Sequence, residues 1–273
     1  MASSRDPVPQ PKIKLYWLNE SRAQRFVWLL EELGLEYEVE VFRRDRDMFA
    51  PPELQKIHPL GKSPILRLIL SDSTTTPSKE TQLILTESGF IAQYLCEHFA
   101  RDRPLLPKRY REGQEGKVGG ETEEWMRYQY FLHYAEGSLM PPMLVELILS
   151  ILKSPKIPFI IRPITSGVAD KIIAAFLVPN LSRHLVFLES QLETSPNNGS
   201  YLCGAHLTAA DILMSFPLLI AKHRAGSLSA GKGEPKLADK YPKLWAYLQR
   251  LQEEPGYMRA EAKINELEKR GKS

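Results

Sequence analysis

Between Ile13 and Val41 the hydrophobic period changes twice, and this constrains the fold more than any other feature of the chain. Ile13 to Leu18 is a short apolar run suited to a buried strand. From Ala23 the spacing becomes helical through Phe26, Val27, Leu30 and Leu33, with Gly34 where a left-handed C-cap would sit. Glu36 to Val41 then alternates strictly, as a half-buried strand does. Strand, helix and strand form a βαβ unit, whose parallel pair needs a right-handed crossover. Pro51 to Ile57 suits a short helix with Pro in its first turn. Ile65 to Leu70 and Leu83 to Thr86 read as two further strands around a long hairpin loop, Ser71 to Gln82, and Glu87 to Phe99 returns to helical spacing. The order is βαβ, then ββα.

The pattern then changes. Arg101 to Tyr110 has two Pro, four Lys or Arg and no period, and reads as a linker. Beyond it the spacing is helical over Glu121–Leu139, Pro142–Leu152, Gly167–Leu192, Ala209–Lys222 and Ala238–Glu254, with Pro/Gly/Ser clusters at Ser154–Pro163, Ser195–Ser200 and Gly226–Pro235. The expected division is a flexible leader at 1–11, an α/β domain at 12–100, a linker at 101–111 and an all-helical domain at 112–273. A chain of 273 residues is long enough for two such cores. Met1 to Gln10 has no apolar centre and does not read as a secretory signal. The most apolar stretch, Met143 to Leu152, reads as a buried helix, with a surface that dips into a membrane or a partner as the minor alternative.

Composition excludes several classes of function. Lys and Arg exceed Asp and Glu by 36 − 33 = 3, and the signs are interspersed, so nucleic acid is not indicated as a partner. The two cysteines, Cys96 and Cys203, lie far apart without metal-ligand spacing, so neither a disulfide framework nor a metal site has support, and a reducing compartment fits. Cys96 reads as an inert core residue, and Thr208 with Asp211 as the cap that opens a helix.

Two segments of the first domain carry chemistry. Gly61-Lys62-Ser63-Pro64 puts Pro at a strand entrance, where a cis Ser63–Pro64 bond would turn the N–H and C=O of Ser63 outward like a strand edge. Thr86-Glu87-Ser88 ends a strand and opens a helix, where backbone N–H groups favour a carboxylate and Glu87 can take an ammonium. A ligand with an α-amino acid end followed by peptide bonds satisfies both.

With these segments the chain resembles the glutathione transferase superfamily over essentially its whole length. His58 to Pro64 and Thr86-Glu87-Ser88 are similar to the family's glutathione-binding signatures, and Leu207 to Ile212 to its Thr-x-x-Asp helix start. The turn Asn19-Glu20-Ser21-Arg22, followed by Trp28 to Tyr37, resembles a bacterial and fungal subgroup, and the Pro-containing segment Leu149 to Val178 resembles fungal and yeast-type members. The resemblance implies a thioredoxin-like N-terminal domain followed by an all-α C-terminal helical bundle. It also implies glutathione as co-substrate without a metal, and conjugation of its thiolate to apolar electrophiles in detoxification or secondary metabolism, with glutathione peroxidase activity as an accompaniment. Glu87 and Ser88 would hold the γ-glutamyl end, Ser63 the cysteinyl unit through its main chain, and Lys62 the glycine carboxylate. The thiolate would be stabilised by Ser21 or Asn19, with Arg22 adding positive field. Ser21 is favoured because a hydroxyl opening a helix can donate to sulfur, although spacing fits Asn19 about as well. Each also has a plainer reading, Ser21 as an N-cap and Asn19 as a turn residue. Tyr16 is expected to point away inside its strand, and Tyr128 and Tyr134 are candidate walls for the second substrate.

The resemblance further implies a homodimer, the first domain of one subunit meeting the second domain of the other, in the cytoplasm. Peripheral attachment to the endoplasmic reticulum membrane through Leu144 to Val178 is the alternative location. The same fold also serves non-catalytic regulatory or scaffolding modules that bind glutathione, which is the competing function.

Overall fold

The computed structural model describes residues 10–70, 81–100, 103–225 and 240–270. Residues 1–9 of the expected leader, most of the Ser71 to Gln82 loop, Arg101 and the Gly226 to Pro235 cluster lie outside them. The chain divides into two compact units, 1–101 joined by 255–273, and 102–254.

In the first unit the order is β1 (Lys12–Leu18), α1 (Gln24–Leu33), β2 (Glu38–Phe42), a 3₁₀ turn (Pro52–Lys56), β3 (Ile65–Leu70), β4 (Thr81–Thr86) and α2 (Ser88–Phe99). The sheet runs β2-β1-β3-β4, with β1 and β2 parallel and the other pairs antiparallel. Gly34 caps α1 at φ 63°, in the left-handed region expected of it. The second strand begins two residues later than the alternation suggested and is mostly exposed, as an edge strand tolerates. Successive residues of β1 point to opposite faces. Leu15 and Trp17 are buried on one face, while Tyr16 and Leu18 form a second small core with Leu54 and Ile65 on the other.

Register decides where the motifs go. Tyr16 pairs with Ile65, and Ile65 with Thr86. Because both pairs are antiparallel, the end of β1, the start of β3 and the end of β4 coincide at one end of the sheet. The turn at 19–22, Ser63 and Glu87–Ser88 therefore leave the sheet side by side.

The last helix, α9 (Pro255–Arg270), corrects the expected division. It belongs to the first unit and packs on α1, with Tyr257 edge-on to Trp28 at 5.1 Å and Lys263 3.3 Å from Glu31. Gly256 permits the approach, since an added Cβ would stand 1.8 Å from a carboxylate oxygen of Glu32. Ala260, Ile264 and Leu267 form its buried stripe at helical spacing, diluted by the charges around it.

The second unit holds α3 (Glu123–Tyr134), α4 (Met140–Lys153), α5 (Arg162–Ile172), α6 (Val178–Glu193), α7 (Ala209–Ala225) and α8 (Pro242–Glu253). Pro141 and Pro142 do not break the first pair. A π-helical turn at Ala135–Leu139 joins α3 to α4, and Ile173–Leu177 joins α5 to α6 ahead of Pro179. Proline lacks an N–H and crowds the carbonyl four residues earlier, and a wider turn just before it relieves both. The resulting helical runs span Glu123–Lys153 and Arg162–Glu193, and length and composition alone would let either cross a membrane. The expectation of a buried helix at Met143–Leu152 holds for one face only. Met143, Glu146 and Leu149 are buried, whereas Leu144, Leu147, Ile148 and Ile151 are exposed.

Candidate active site

The β1–α1 turn is held by the Ser21 hydroxyl, which donates to the Leu18 carbonyl at 2.7 Å and accepts from the Ala23 N–H at 3.1 Å. Ser21 is 4% exposed, and its Oγ lies 3.1 Å from Ser63 Oγ. A hydroxyl has one proton. With that proton given to Leu18, the Ser63 hydroxyl is the donor in the pair. Two of the quoted segments are thus in direct contact. Ser63 is followed by a cis bond to Pro64, the isomer the strand entrance called for.

Asn19 is held differently. Its side-chain oxygen accepts from the Arg44 N–H at 2.8 Å, its carbonyl accepts from Arg44 Nε at 3.2 Å, and Arg44 also donates to the Met48 carbonyl at 2.8 Å. Arg44 therefore staples the β1–α1 turn to the loop after β2. Arg22 is half-buried beside these residues and Lys62 is exposed. His58 serves its own turn, its carbonyl accepting from the Gly61 N–H at 2.8 Å. Tyr16 lies in the second small core with the Arg67 guanidinium 5.1 Å from its ring centre, and burial raises the pKa of its hydroxyl.

The third segment sits at the start of α2. Glu87 is exposed and has φ 67° and ψ 119°, a conformation costly for a residue with a Cβ and characteristic of functional positions. Its side chain does not cap the helix. Ser88 is 3% exposed and accepts a hydrogen bond from Arg25 Nη2 at 2.9 Å. Arg25 and Arg44 are the members of this neighbourhood that sequence reasoning missed. The signal for Arg25 was a cation beside the apolar positions Phe26, Val27 and Leu29 of α1, where a solvated residue would not be expected.

The expected pocket walls in the helical unit are not walls. Tyr128 is completely buried. Tyr134 is also buried, its hydroxyl 2.6 Å from His184 Nδ1 and its ring stacked on Tyr130 at 5.5 Å. The reason is rotational: Tyr128, Phe131, Leu132 and Ala135 follow helical spacing and face the core, which turns Met126 and Tyr130 outward instead. Burial raises the Tyr134 pKa and lowers that of His184, so it favours the neutral form of both. An open cavity of about 390 Å³ in this unit is lined by other residues, among them Leu106, Lys108, Cys203 and His206. No cluster of His, Cys, Asp and Glu suited to a metal occurs among the described residues.

Comparison with known proteins bears on the family and the fold. Residues 21–98 match the family model described as Glutathione S-transferase, N-terminal domain, and residues 166–257 match its C-terminal domain. Glutathione S-transferase 1 of Saccharomyces cerevisiae is 38% identical over 257 residues, 94% of this chain and 97% of the yeast protein. The chain belongs to the glutathione S-transferase family. Membership, carried by relatives themselves named as glutathione S-transferases, makes it an enzyme of that class. Glutathione S-transferase 3 of Schizosaccharomyces pombe is 30% identical, covering 77% of this chain and 74% of that protein. A glutathione transferase of Phanerochaete chrysosporium, solved with oxidized glutathione, shares the fold with a TM-score of 0.64 at 18% identity, covering 98% of this chain and 99% of that one.

Proposed function

We propose that the enzyme binds glutathione at the end of the sheet and directs its thiolate onto apolar electrophiles, in detoxification or secondary metabolism. The observation that carries this reading is convergence: Ser21 in the β1–α1 turn meets Ser63, and Arg25 of the helix that follows meets Ser88. The γ-glutamyl carboxylate would lie at the start of α2 against Ser88, with its ammonium at Glu87. The cysteinyl peptide would pair with the main chain of Ser63, and the glycine carboxylate would meet Lys62. Arg22 and a donor from Ser21 or Asn19 would favour the thiolate over the thiol. Sulfur then bonds to the electrophilic carbon while the leaving group departs with its electron pair, and proximity with charge stabilisation supplies the rate. With a hydroperoxide the thiolate would instead take the terminal oxygen, releasing the alcohol. A second glutathione would displace that oxygen as water and form the disulfide.

Retention on immobilised glutathione and consumption of glutathione with chlorodinitrobenzene are both expected. Binding without turnover across a varied electrophile panel would replace this reading with the non-catalytic glutathione-binding module.

We also propose a homodimer working in the cytoplasm, where two buried free cysteines stay reduced. One observation favours a second location, peripheral on the endoplasmic reticulum membrane. Between α4 and α5, Phe159 and Ile160 are 76% and 72% exposed, beside Lys156 and Arg162, and Ile164, Val168 and Phe176 continue an exposed apolar stripe along the second helical run. Apolar tips flanked by cations suit an anionic lipid surface. On that second reading the intact chain floats with phosphatidylserine-containing vesicles and Phe159→Asp/Ile160→Asp does not. Failure to float, together with a smaller particle for the double variant, would assign the stripe to a second copy of the chain.

A further inference from the structure

Arg25 lies near the start of α1 and carries its charge inward. It is 2% exposed. A guanidinium so placed is costly unless its N–H groups find acceptors. One of them is directed across to α2, where Nη2 reaches Ser88 Oγ at 2.9 Å, while Nε reaches back to the Arg22 carbonyl at 3.4 Å.

The direction of the bond to Ser88 has a consequence. Guanidinium has five donors and no acceptor. Ser88 Oγ must therefore be the acceptor, and its single proton is directed elsewhere. The start of α2 also supplies donors: the first-turn N–H groups have no carbonyl within the helix, and the Glu87 side chain does not cap them. A hydroxyl proton, helix N–H groups and a guanidinium behind them suit an acceptor with several lone pairs and a negative charge, which is a carboxylate.

We propose that Arg25 is a positioning residue for the carboxylate-binding end of the site. It fixes Ser88 so that the hydroxyl proton faces the ligand, and it places a buried positive charge behind that hydroxyl. The proposal rests on the reading that the γ-glutamyl carboxylate binds at the start of α2.

The test compares glutathione with an analogue whose γ-glutamyl α-carboxylate is a carboxamide, by calorimetric binding to the full chain. Native protein is expected to prefer glutathione by about 10- to 100-fold, the scale of a hydrogen bond to a charged group. Arg25→Gln should reduce that preference to within about threefold and raise the KM for glutathione by a larger factor than it lowers kcat. Arg25→Lys keeps charge but not the fork, and should recover part of the preference. Ser88→Ala should lose most of it as well, and the double variant Arg25→Gln/Ser88→Ala little more than either alone, because one residue acts through the other. A preference that persists in Arg25→Gln overturns the role of Arg25 while leaving the site in place. If that variant does not fold, an undiminished preference in Arg25→Lys overturns it equally. A native protein that binds both ligands alike overturns the placement of the carboxylate, and the role of Arg25 falls with it.

Discussion

Asp211→Ala is expected to lose on the order of 3 to 5 kcal/mol of unfolding free energy, measured by urea titration of the full chain. The carboxylate is completely buried at the start of α7 and accepts four bonds. They come from the Thr208 N–H at 2.9 Å, the Thr208 hydroxyl at 2.6 Å, the Leu202 N–H at 3.0 Å and the Tyr247 hydroxyl at 2.6 Å. Alanine leaves those donors buried without this acceptor, the costly side of hydrogen-bond energetics. It also unties the loop before α7 and α8 in one step. Asp211→Asn, nearly the same in volume, should recover only part of the loss, because its amide nitrogen must face a donor. Burial raises the Asp211 pKa from its ordinary value, against the lowering effect of the hydrogen bonds. With a raised folded value, this group's pH-dependent stabilisation is full below the unfolded pKa and is lost as pH rises through the folded value. Mild acidification should therefore not unfold the protein through this residue. A loss under about 1 kcal/mol for Asp211→Ala would show that Asp211 is dispensable to the helical unit.

The first unit was legible because its sequence signals are local. Apolar run, helical stripe and alternation each report a period, and Gly34 reports a backbone angle, so the strands and α1 appear close to where the pattern places them. Bringing the three segments of the site together required only the order of strands and their register. What the sequence concealed depends on rotation and on partners far away in the chain. Tyr128 and Tyr134 sit on the expected helix, yet the facing of that helix is set by Phe131, Leu132, Ala135 and Leu139, whose joint burial overrides any single aromatic. The first helical run read as interrupted because Pro141 and Pro142 ordinarily end helices, and the π turn that absorbs them has no composition of its own, whereas the second was read as continuous across Pro179. The last helix was missed because charge dominates it, and its apolar positions find their partners on α1, more than two hundred residues earlier. Arg25 signalled its burial but not its partner, for a related reason. Its partner Ser88 is 63 positions away, and nothing in the sequence around either residue announces the other.

Ser21→Ala is expected to lower kcat/KM for conjugation by about 10- to 100-fold, at or below the lower end of the roughly 100- to 1,000-fold range for removing one donor to a developing anion. It should also raise the pKa of bound glutathione toward the free thiol's value of about 8.5. The geometry that favours Ser21 over Asn19 is its contact with Ser63, whose main chain is the proposed partner of the cysteinyl unit, at 3.1 Å between hydroxyls. Asn19 instead has its side-chain oxygen committed to the Arg44 N–H. Ser21 donates to Leu18, so donation to sulfur requires its hydroxyl to rotate away from that carbonyl. A net hydrogen bond is worth about 1 kcal/mol, and a bond to an anion about 1.5 to 3, so the exchange is favourable when the thiolate is present. The same substitution removes an acceptor from the Ala23 N–H and should cost about 1 kcal/mol of stability. That loss does not alter the comparison, because the thiol is titrated by its ultraviolet absorbance on folded, saturated protein. The acid limb of the kcat/KM profile should move to higher pH in Ser21→Ala and less in Asn19→Ala. The reverse order in the titration would transfer the thiolate contact to Asn19, with Arg44 as the residue that aims its amide.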